Sequence, residues 1–157
     1  MCQPYFCLLK KILPDSNTDI YNVYVKRSVA TFEIELVTLV EMTRRIEEIS
    51  ARYPYLVYEG NGKILGYSYA HQWKMRTAYS HTLETTIYVA SASRGKGVGI
   101  QLMSHLIEAC RRAGAHALIA CITGGNEDSV SLHQRLGFQQ VSHFCQVGNK
   151  FGQWLDL

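Results

Sequence analysis

Apolar residues recur every three or four positions in four parts of the chain, a spacing typical of helices with one buried face. The predicted helices span residues 16–26, 39–53, 99–114 and 126–136. In the first helix, Ile20, Val23 and Tyr24 are expected to face the core. A proline or a glycine marks the end of each of the last three helices, as helix termination commonly requires.

Shorter runs rich in β-branched and aromatic residues lie between these helices and predict strands. They span residues 7–13, 56–59, 63–70, 83–89, 117–122, 138–147 and 154–157. Gly60-Asn61-Gly62 separates the second run from the third and predicts a hairpin. Residues 83–89 alternate, with Leu83, Thr85, Ile87 and Val89 expected on one face and Glu84, Thr86 and Tyr88 on the other. A hairpin followed by alternating helices and strands predicts an α/β fold with a mixed sheet.

A basic, glycine-rich turn, Arg94-Gly95-Lys96-Gly97-Val98-Gly99, connects the strand 83–89 to the helix 99–114. The first N–H groups of a helix lack intrahelical partners, and the helix dipole favours an anion there. Glycine lets the backbone approach a phosphate closely, and the two cationic side chains add donors. The turn therefore predicts a pyrophosphate site, although its spacing fits neither a P-loop nor Gly-x-Gly-x-x-Gly. The alternative is an ordinary surface loop that begins a helix.

Composition narrows the possible functions. The chain has 157 residues, 47% of them hydrophobic, so we expect one globular domain spanning residues 1–157. The net charge is +3 and the basic residues are scattered, which indicates no nucleic-acid partner. The chain lacks an apolar run of about 20 residues, so no membrane partner is expected. The N-terminal residues are a poor match to a signal peptide.

The five cysteines are odd in number and lack Cys-x-x-Cys spacing, which favours free thiols in a reducing cytoplasm. Cys110 and Cys121 lie in apolar patterns and are expected to be buried. None of the six histidines shows the spacing of metal ligands, so no metal is expected.

From about residue 21 onward, the chain resembles the GNAT N-acetyltransferases, in particular the branch that acetylates phosphinothricin and methionine sulfone. The turn at 94–99 fits the Arg-x-x-Gly-x-Gly pyrophosphate loop of these enzymes. Further matching segments are Thr31-Phe32-Glu33, Trp73-Lys74-Met75-Arg76-Thr77-Ala78-Tyr79, Thr82-Leu83-Glu84-Thr85-Thr86-Ile87-Tyr88-Val89, Asn126-Glu127-Asp128-Ser129-Val130-Ser131-Leu132-His133 and Val147-Gly148-Asn149-Lys150-Phe151-Gly152-Gln153-Trp154. The resemblance implies a mostly antiparallel central sheet whose splayed central strands hold acetyl-CoA, and a homodimer.

The resemblance also implies two catalytic residues. Glu84 occupies the family's position for a general base, and partial burial on its strand is expected to raise its pKa. The alternative is a solvent-facing charge on a half-exposed strand. His133 stands where many GNAT enzymes place a Tyr as general acid, so it is a candidate proton donor or oxyanion contact. The alternative is a packed histidine beside the site.

For the cofactor, the resemblance implies main-chain contacts from Ile87, Tyr88 and Val89, with phosphates held by residues 94–99. In the family, the Asn that matches Asn126 contacts the cofactor arm, and the Ser that matches Ser129 lies near the phosphates. Asn126 has an alternative role as a helix cap.

The acceptor is expected to be a small amino acid or analogue. Trp73, Arg76 and Tyr79 are the expected wall, with Phe32 covering the side chain and Lys150 closing the pocket or the dimer seam. The predicted function is transfer of an acetyl group from acetyl-CoA to the α-amine of that acceptor. The alternatives are a protein or peptide N-terminal acetyltransferase and a non-catalytic CoA-binding regulatory module.

Overall fold

Helices and strands alternate along the chain in the computed structural model, which describes residues 5–8 and 13–157. In chain order the elements are β1 (Tyr5–Leu8), α1 (Pro14–Arg27), α2 (Leu39–Ser50), β2 (Tyr55–Gly60), β3 (Lys63–Gln72), β4 (Thr82–Val89), α3 (Val98–Arg112), β5 (Ala117–Ile119), α4 (Glu127–Arg135), β6 (Gly148–Lys150) and β7 (Gln153–Leu155). Residues 9–12 of the first predicted strand lie outside the described residues. Among the described helices, none is long and apolar enough to cross a membrane.

The central sheet has the order β1-β2-β3-β4-β5. Its first four strands pair antiparallel, whereas β4 and β5 pair parallel. The predicted mixed, mostly antiparallel sheet is therefore confirmed. The hairpin between β2 and β3 turns on Asn61 and Gly62, whose φ angles are 52° and 73°. Two consecutive left-handed residues suit the right-handed twist of the flanking strands, which explains why this dipeptide marked the turn.

Helices cover both faces of the sheet, and β4 supplies side chains to both cores. Leu83, Ile87 and Val89 pack in the cluster that contains α3, whereas Tyr88 packs in the cluster that contains α1 and α2. The predicted alternation of β4 is thus confirmed. Val23 of α1, expected to face the core, is instead 42% exposed, because Ile20, Tyr21 and Val25 form the buried side of that helix.

The predicted strand at residues 138–147 is wrong, because that segment has no regular strand. Its apolar residues are not buried as an alternating pattern would require: Val141 is 86% exposed and Phe144 is 55% exposed. Gln146 has a φ of 52°, which interrupts an extended path before β6 begins. Only a short pairing remains, in which Phe144 and Leu157 exchange N–H···O bonds of 2.8 and 2.9 Å.

The fifth strand is shorter than predicted and leaves the sheet early. Pairing of β4 with β5 runs from Thr82 opposite Ala117 to Glu84 opposite Ile119. Beyond this point β4 continues to Val89, whereas β5 ends at Ile119. The second half of β4 therefore presents an open edge.

Candidate functional site

A cavity of about 760 Å³ lies at the open edge of β4. Its walls are the second half of β4, the glycine turn, the segment 120–123, one side of α4 and the loop that follows α1. Five separate segments of the chain therefore meet at one cavity, which is large enough for a cofactor-sized ligand.

The glycine turn forms the cavity wall at the N-terminus of α3. Gly95 and Gly97 have φ angles of 71° and 81°, which favour glycine, and no side chain caps the helix. A Cβ on Gly95 would meet nothing within 4 Å, so the space beside the turn is open. Uncapped N–H groups beside open space suit a phosphate.

The six residues of this turn do not contribute equally. Arg94, Gly95, Gly97 and Gly99 line the cavity. Lys96 is exposed and outside the lining, and the side chain of Val98 is buried in the core, so Val98 offers only its backbone.

The main chain of β4 offers fewer free groups than the resemblance implied. Ala90 N–H donates to the Leu65 carbonyl on the neighbouring strand, at 2.8 Å. Because main-chain groups alternate in direction along a strand, those of Tyr88 also face β3, whereas those of Ile87 and Val89 face the open edge. Ile87 is thus the residue whose N–H and C=O point into the gap without a described partner.

The groups of Val89 are already engaged by Tyr24 of α1. The Tyr24 hydroxyl donates to the Val89 carbonyl at 2.8 Å and accepts from the Val89 N–H at 3.1 Å. The Arg94 guanidinium stacks over the Tyr24 ring, 4.8 Å from its centroid. Tyr24 therefore links the open strand edge to the glycine turn. The helical spacing of apolar residues predicted that Tyr24 faces the core. Such spacing cannot predict which groups the Tyr24 hydroxyl binds.

The start of α4 brings two polar residues to the cavity. Asn126 precedes the helix, but its side chain makes no capping hydrogen bond, and it lines the cavity together with Ser129. The alternative role of Asn126 as a side-chain cap is therefore not what the structure shows. Its amide is available to a ligand.

His133 lies on α4, lines the cavity and is almost fully buried. The residue is 4% exposed, and its Nδ1 lies 2.8 Å from the Ser129 carbonyl oxygen. A carbonyl only accepts, so Nδ1 carries the proton and Nε2 is left with a lone pair. Burial lowers the pKa of His133, an effect that the hydrogen bond to Ser129 partly offsets. A neutral imidazole with this tautomer has no proton on Nε2, which favours the packing role over that of general acid.

Glu84 and Cys121 lie together in the cavity, at the point where β4 and β5 separate. Cys121 is exposed, so the expectation of a buried thiol is wrong. Desolvation of the thiol, and then the charge and hydrogen bonding of Glu84, raise the pKa of Cys121 to about 11. The sequence pattern missed this contact because it forms only where the strand pair opens.

We expect this contact to control the reactivity of Cys121. Alkylation by iodoacetamide at neutral pH should be slow, because the thiolate is the nucleophile and Glu84 disfavours it. Glu84→Gln should accelerate the alkylation several-fold, since the neighbouring charge is removed. Mass spectrometry of the Cys121 peptide measures the rate, with exposed Cys145 as the internal control. Equal Cys121 rates in both proteins would contradict the contact.

The loop after α1 closes one side of the cavity through Thr31 and Phe32. Lys150 lies behind this loop, 1% exposed, and its Nζ donates to the carbonyls of Ser28 and Thr31 at 2.8 Å each. A Cβ on Gly148 would collide with the Phe32 ring, so glycine is needed there for the ring to pack. The hairpin of β6 and β7 thus holds the loop, and Lys150 is a buried anchor outside the cavity lining.

Lys150→Met should destabilise the fold by about 2 kcal/mol, because it leaves two carbonyls without their charged donor. Met fills a similar volume, so the loss reports the hydrogen bonds rather than a cavity. Urea denaturation measures the change, and Lys63→Met, at an exposed lysine of β3, is the matched control. The same midpoint in both variants would show that the anchor contributes nothing.

The expected acceptor wall lies apart from this cavity. Trp73 and Tyr79 pack edge to face, with ring centroids 5.3 Å apart, and Lys74 Nζ lies 4.8 Å from the Trp73 ring centroid. Arg76 is exposed on the same loop, and neither it nor the two aromatic residues line the cavity. Of the five expected acceptor residues, the cavity includes Phe32.

Comparisons with known proteins agree with this geometry. An acetyltransferase (GNAT) domain model matches residues 15–157. The L-methionine sulfoximine/L-methionine sulfone acetyltransferase of Salmonella typhimurium is 39% identical, over 89% of this chain and 82% of the relative. The phosphinothricin N-acetyltransferase of Streptomyces viridochromogenes is 36% identical, over 88% of this chain and 76% of the relative.

Among solved structures, a putative acetyltransferase of Salmonella typhimurium with its cofactor acetyl-CoA superposes with a TM-score of 0.93 at 35% identity. The match covers 98% of this chain and 89% of that structure, and it confirms the predicted fold. With a domain match that extends through nearly the whole sequence, the chain belongs to the GNAT family of acetyltransferases.

Proposed function

We propose that the protein transfers the acetyl group of acetyl-CoA to the α-amine of a small amino acid or analogue, such as methionine sulfone, methionine sulfoximine or phosphinothricin. Both substrates would be bound together, and the amine would attack directly. One observation supports this most strongly: a single cavity joins an uncapped helix N-terminus, the open edge at Ile87 and the carboxylate of Glu84.

The residues of the cavity suit acetyl-CoA. The glycine turn and Arg94 would hold the phosphates, and the main chain of Ile87 would pair with the amide groups of the pantetheine arm as an added strand does. Asn126 would contact the same arm, and Ser129 would lie near the phosphates. When bound, acetyl-CoA supplies the electrophilic acetyl thioester.

Glu84 would act as the general base. The α-amine of an amino acid is mostly protonated at neutral pH, so it must lose a proton before it can attack. Glu84 lies where β4 and β5 separate, and its carboxylate would take that proton, directly or through a water. The N–H of Ile87 would stabilise negative charge on the carbonyl oxygen. We assign His133 to the packing of α4 rather than to proton donation. The acetyl transfer would need no metal.

For the acceptor, we propose Phe32 as the contact to the side chain and Arg76 as the partner of its anionic or oxidised group. Arg76 lies on the exposed loop 73–81, outside the cavity lining, so its assignment rests on the match of residues 73–79 to the family. Lys150 would act on the acceptor indirectly, by holding the loop that carries Phe32. We place the enzyme in the cytoplasm, where free thiols persist.

The proposal predicts acetyl-CoA-dependent release of free CoA with the right acceptors. Methionine sulfone, methionine sulfoximine and phosphinothricin should each stimulate release, and mass spectrometry should find the N-acetylated product. Unmodified methionine and a peptide with a free N-terminus are the comparison arms. Turnover of the peptide alone would favour the N-terminal acetyltransferase alternative, and binding of acetyl-CoA with no turnover would favour the regulatory module.

We also propose a homodimer with the acceptor residues near its seam. The hairpin of β6 and β7 exposes apolar residues that a second copy would cover: Phe151 is 59% exposed and Trp154 is 65% exposed. Light scattering at micromolar concentration should give twice the mass of the chain, and Trp154→Glu should shift the protein toward monomer. A fully active monomer in the wild-type protein would contradict the dimer.

A further inference from the structure

Three side chains with different metal-binding atoms converge away from the cavity. They are His143, Cys145 and Asp156, whose ligand atoms all lie within 4.8 Å of one another. His143 Nε2 and Asp156 Oδ2 are 2.8 Å apart, and Cys145 is an exposed free thiol. None of the three lines the cavity described above.

The backbone sets this arrangement. Because Phe144 and Leu157 exchange both of their N–H···O bonds, they form a hydrogen-bonded antiparallel pair. Cys145 and Asp156 are the next residues of these two segments, so the pair brings them close together. His143 precedes Phe144 on the same segment, and its imidazole reaches the Asp156 carboxylate. The pairing of Phe144 with Leu157 therefore brings together the two segments that carry the three ligand atoms.

The carboxylate of Asp156 is already oriented. Its Oδ1 accepts from the Gln146 N–H at 2.8 Å, which leaves Oδ2 directed at the other two ligands. Ligating carboxylates are commonly held by such an outer hydrogen bond. The main-chain carbonyl of Asp156 accepts from the Gly124 N–H at 3.0 Å, so its backbone is fixed as well.

We infer that His143, Cys145 and Asp156 form a Zn²⁺ site. A thiolate, an imidazole nitrogen and a carboxylate oxygen are the three ligand types that zinc takes, at about 2.0–2.3 Å. Three protein ligands leave a fourth position for water. A borderline-soft ion is favoured over Mg²⁺ or Ca²⁺, which select oxygen ligands and bind thiolates poorly.

The ion would join the segment 143–146 to the C-terminal segment that ends in Leu157. Leu157 lines the cavity. The N–H of Gly124, which follows the lining residue Thr123, donates to the Asp156 carbonyl. The metal would therefore stabilise one wall of the cavity from outside, with no contact to Glu84 or to the glycine turn. This site is independent of the proposed function, because its ligands and its measurement are separate from acetyl transfer.

The test uses the purified full chain, freed of metal by a chelator and then titrated with Zn²⁺ alone by calorimetry. We expect one Zn²⁺ per chain with micromolar or tighter affinity and a higher melting temperature. Titration with Co²⁺ should add a thiolate-to-cobalt charge-transfer band in the near ultraviolet and intense visible bands, which are the signature of a tetrahedral thiolate site.

Cys145→Ser keeps the size of the side chain and should remove the charge-transfer band and weaken Zn²⁺ binding at least tenfold. The Cys2→Ser/Cys7→Ser double variant and Cys121→Ser should each keep the band and the affinity. His143→Gln should weaken binding in the same way as Cys145→Ser. Two results would overturn the site: Zn²⁺ binding that survives both Cys145→Ser and His143→Gln, or no Zn²⁺ binding by the wild-type chain. The His143–Asp156 contact would then be a hydrogen bond that joins the two segments without a metal.

Discussion

Glu84→Gln should lower kcat by about 10²–10⁴-fold, which is the usual contribution of a positioned general base. Gln keeps the shape and hydrogen-bonding capacity of Glu but cannot accept the proton of the acceptor amine. The affinity for acetyl-CoA should barely change, because Glu84 lies where the sheet opens rather than at the glycine turn. Steady-state kinetics of CoA release and calorimetric titration with acetyl-CoA measure the two quantities separately.

The pH–rate profile distinguishes a base from a binding group. In the wild-type enzyme the rate should fall as pH falls, because protonated Glu84 cannot take a proton. In Glu84→Gln this acid limb should flatten, and high pH should partly restore the rate by supplying free amine. His133→Ala should keep the limb, and Glu47→Gln, on the exposed face of α2, should behave as wild type. Wild-type kcat with an unchanged limb in Glu84→Gln would place the base elsewhere.

Gly97→Val should raise the Kd for acetyl-CoA by about 30-fold or more. Gly97 has a φ of 81°, and this left-handed backbone costs an L-residue about 1–2 kcal/mol. If the turn moves to avoid that strain, it loses its contacts to the phosphates. A loss of the same size weakens binding about 5–30-fold. The valine methyl groups would also occupy space that a phosphate needs. Calorimetry measures the Kd, and circular dichroism checks that the fold is retained.

Gly62→Val is the matched control for this variant. Gly62 has a φ of 73° in the hairpin between β2 and β3, and a Cβ there would meet nothing within 4 Å. It should therefore lose similar stability through the same backbone penalty while the Kd for acetyl-CoA stays unchanged. If a folded Gly97→Val protein binds acetyl-CoA as tightly as wild type, the phosphates do not lie at this turn.

Local sequence patterns correctly predicted features that are set by residues next to each other along the chain. The alternation of β4 and the Asn61-Gly62 turn were both predictable, because a period of two and two left-handed residues are local properties. Residues 138–147 also carry apolar side chains, at Phe138, Val141, Phe144 and Val147, yet among the described residues Val141 stays exposed to solvent. An apolar pattern states which side chains can be buried, whereas burial itself requires a partner surface.

In the candidate site, too, features of contiguous residues were predictable and contacts between distant residues were not. The turn 94–99 is contiguous, so the sequence alone predicted a phosphate site there. It did not predict which side chains of the turn reach the cavity. Tyr24 and Val89 are 65 positions apart, and their hydrogen bonds depend on how α1 crosses the sheet. No linear motif could predict the role of Lys150 either, because its Nζ donates to the carbonyls of Ser28 and Thr31, more than a hundred positions away.

The sequence by itself determined the α/β class, the hairpin at Asn61-Gly62, the alternation of β4 and the glycine turn that precedes α3. Each of these follows from residues close together along the chain, whose spacing sets the face or the backbone angle they adopt. Only the tertiary structure decided which groups meet: Cys121 with Glu84, Tyr24 with Val89, and His143 with Cys145 and Asp156. Those contacts depend on where β4 and β5 separate and on the pairing of Phe144 with Leu157. Such pairings form between distant segments, so no spacing along the chain encodes them.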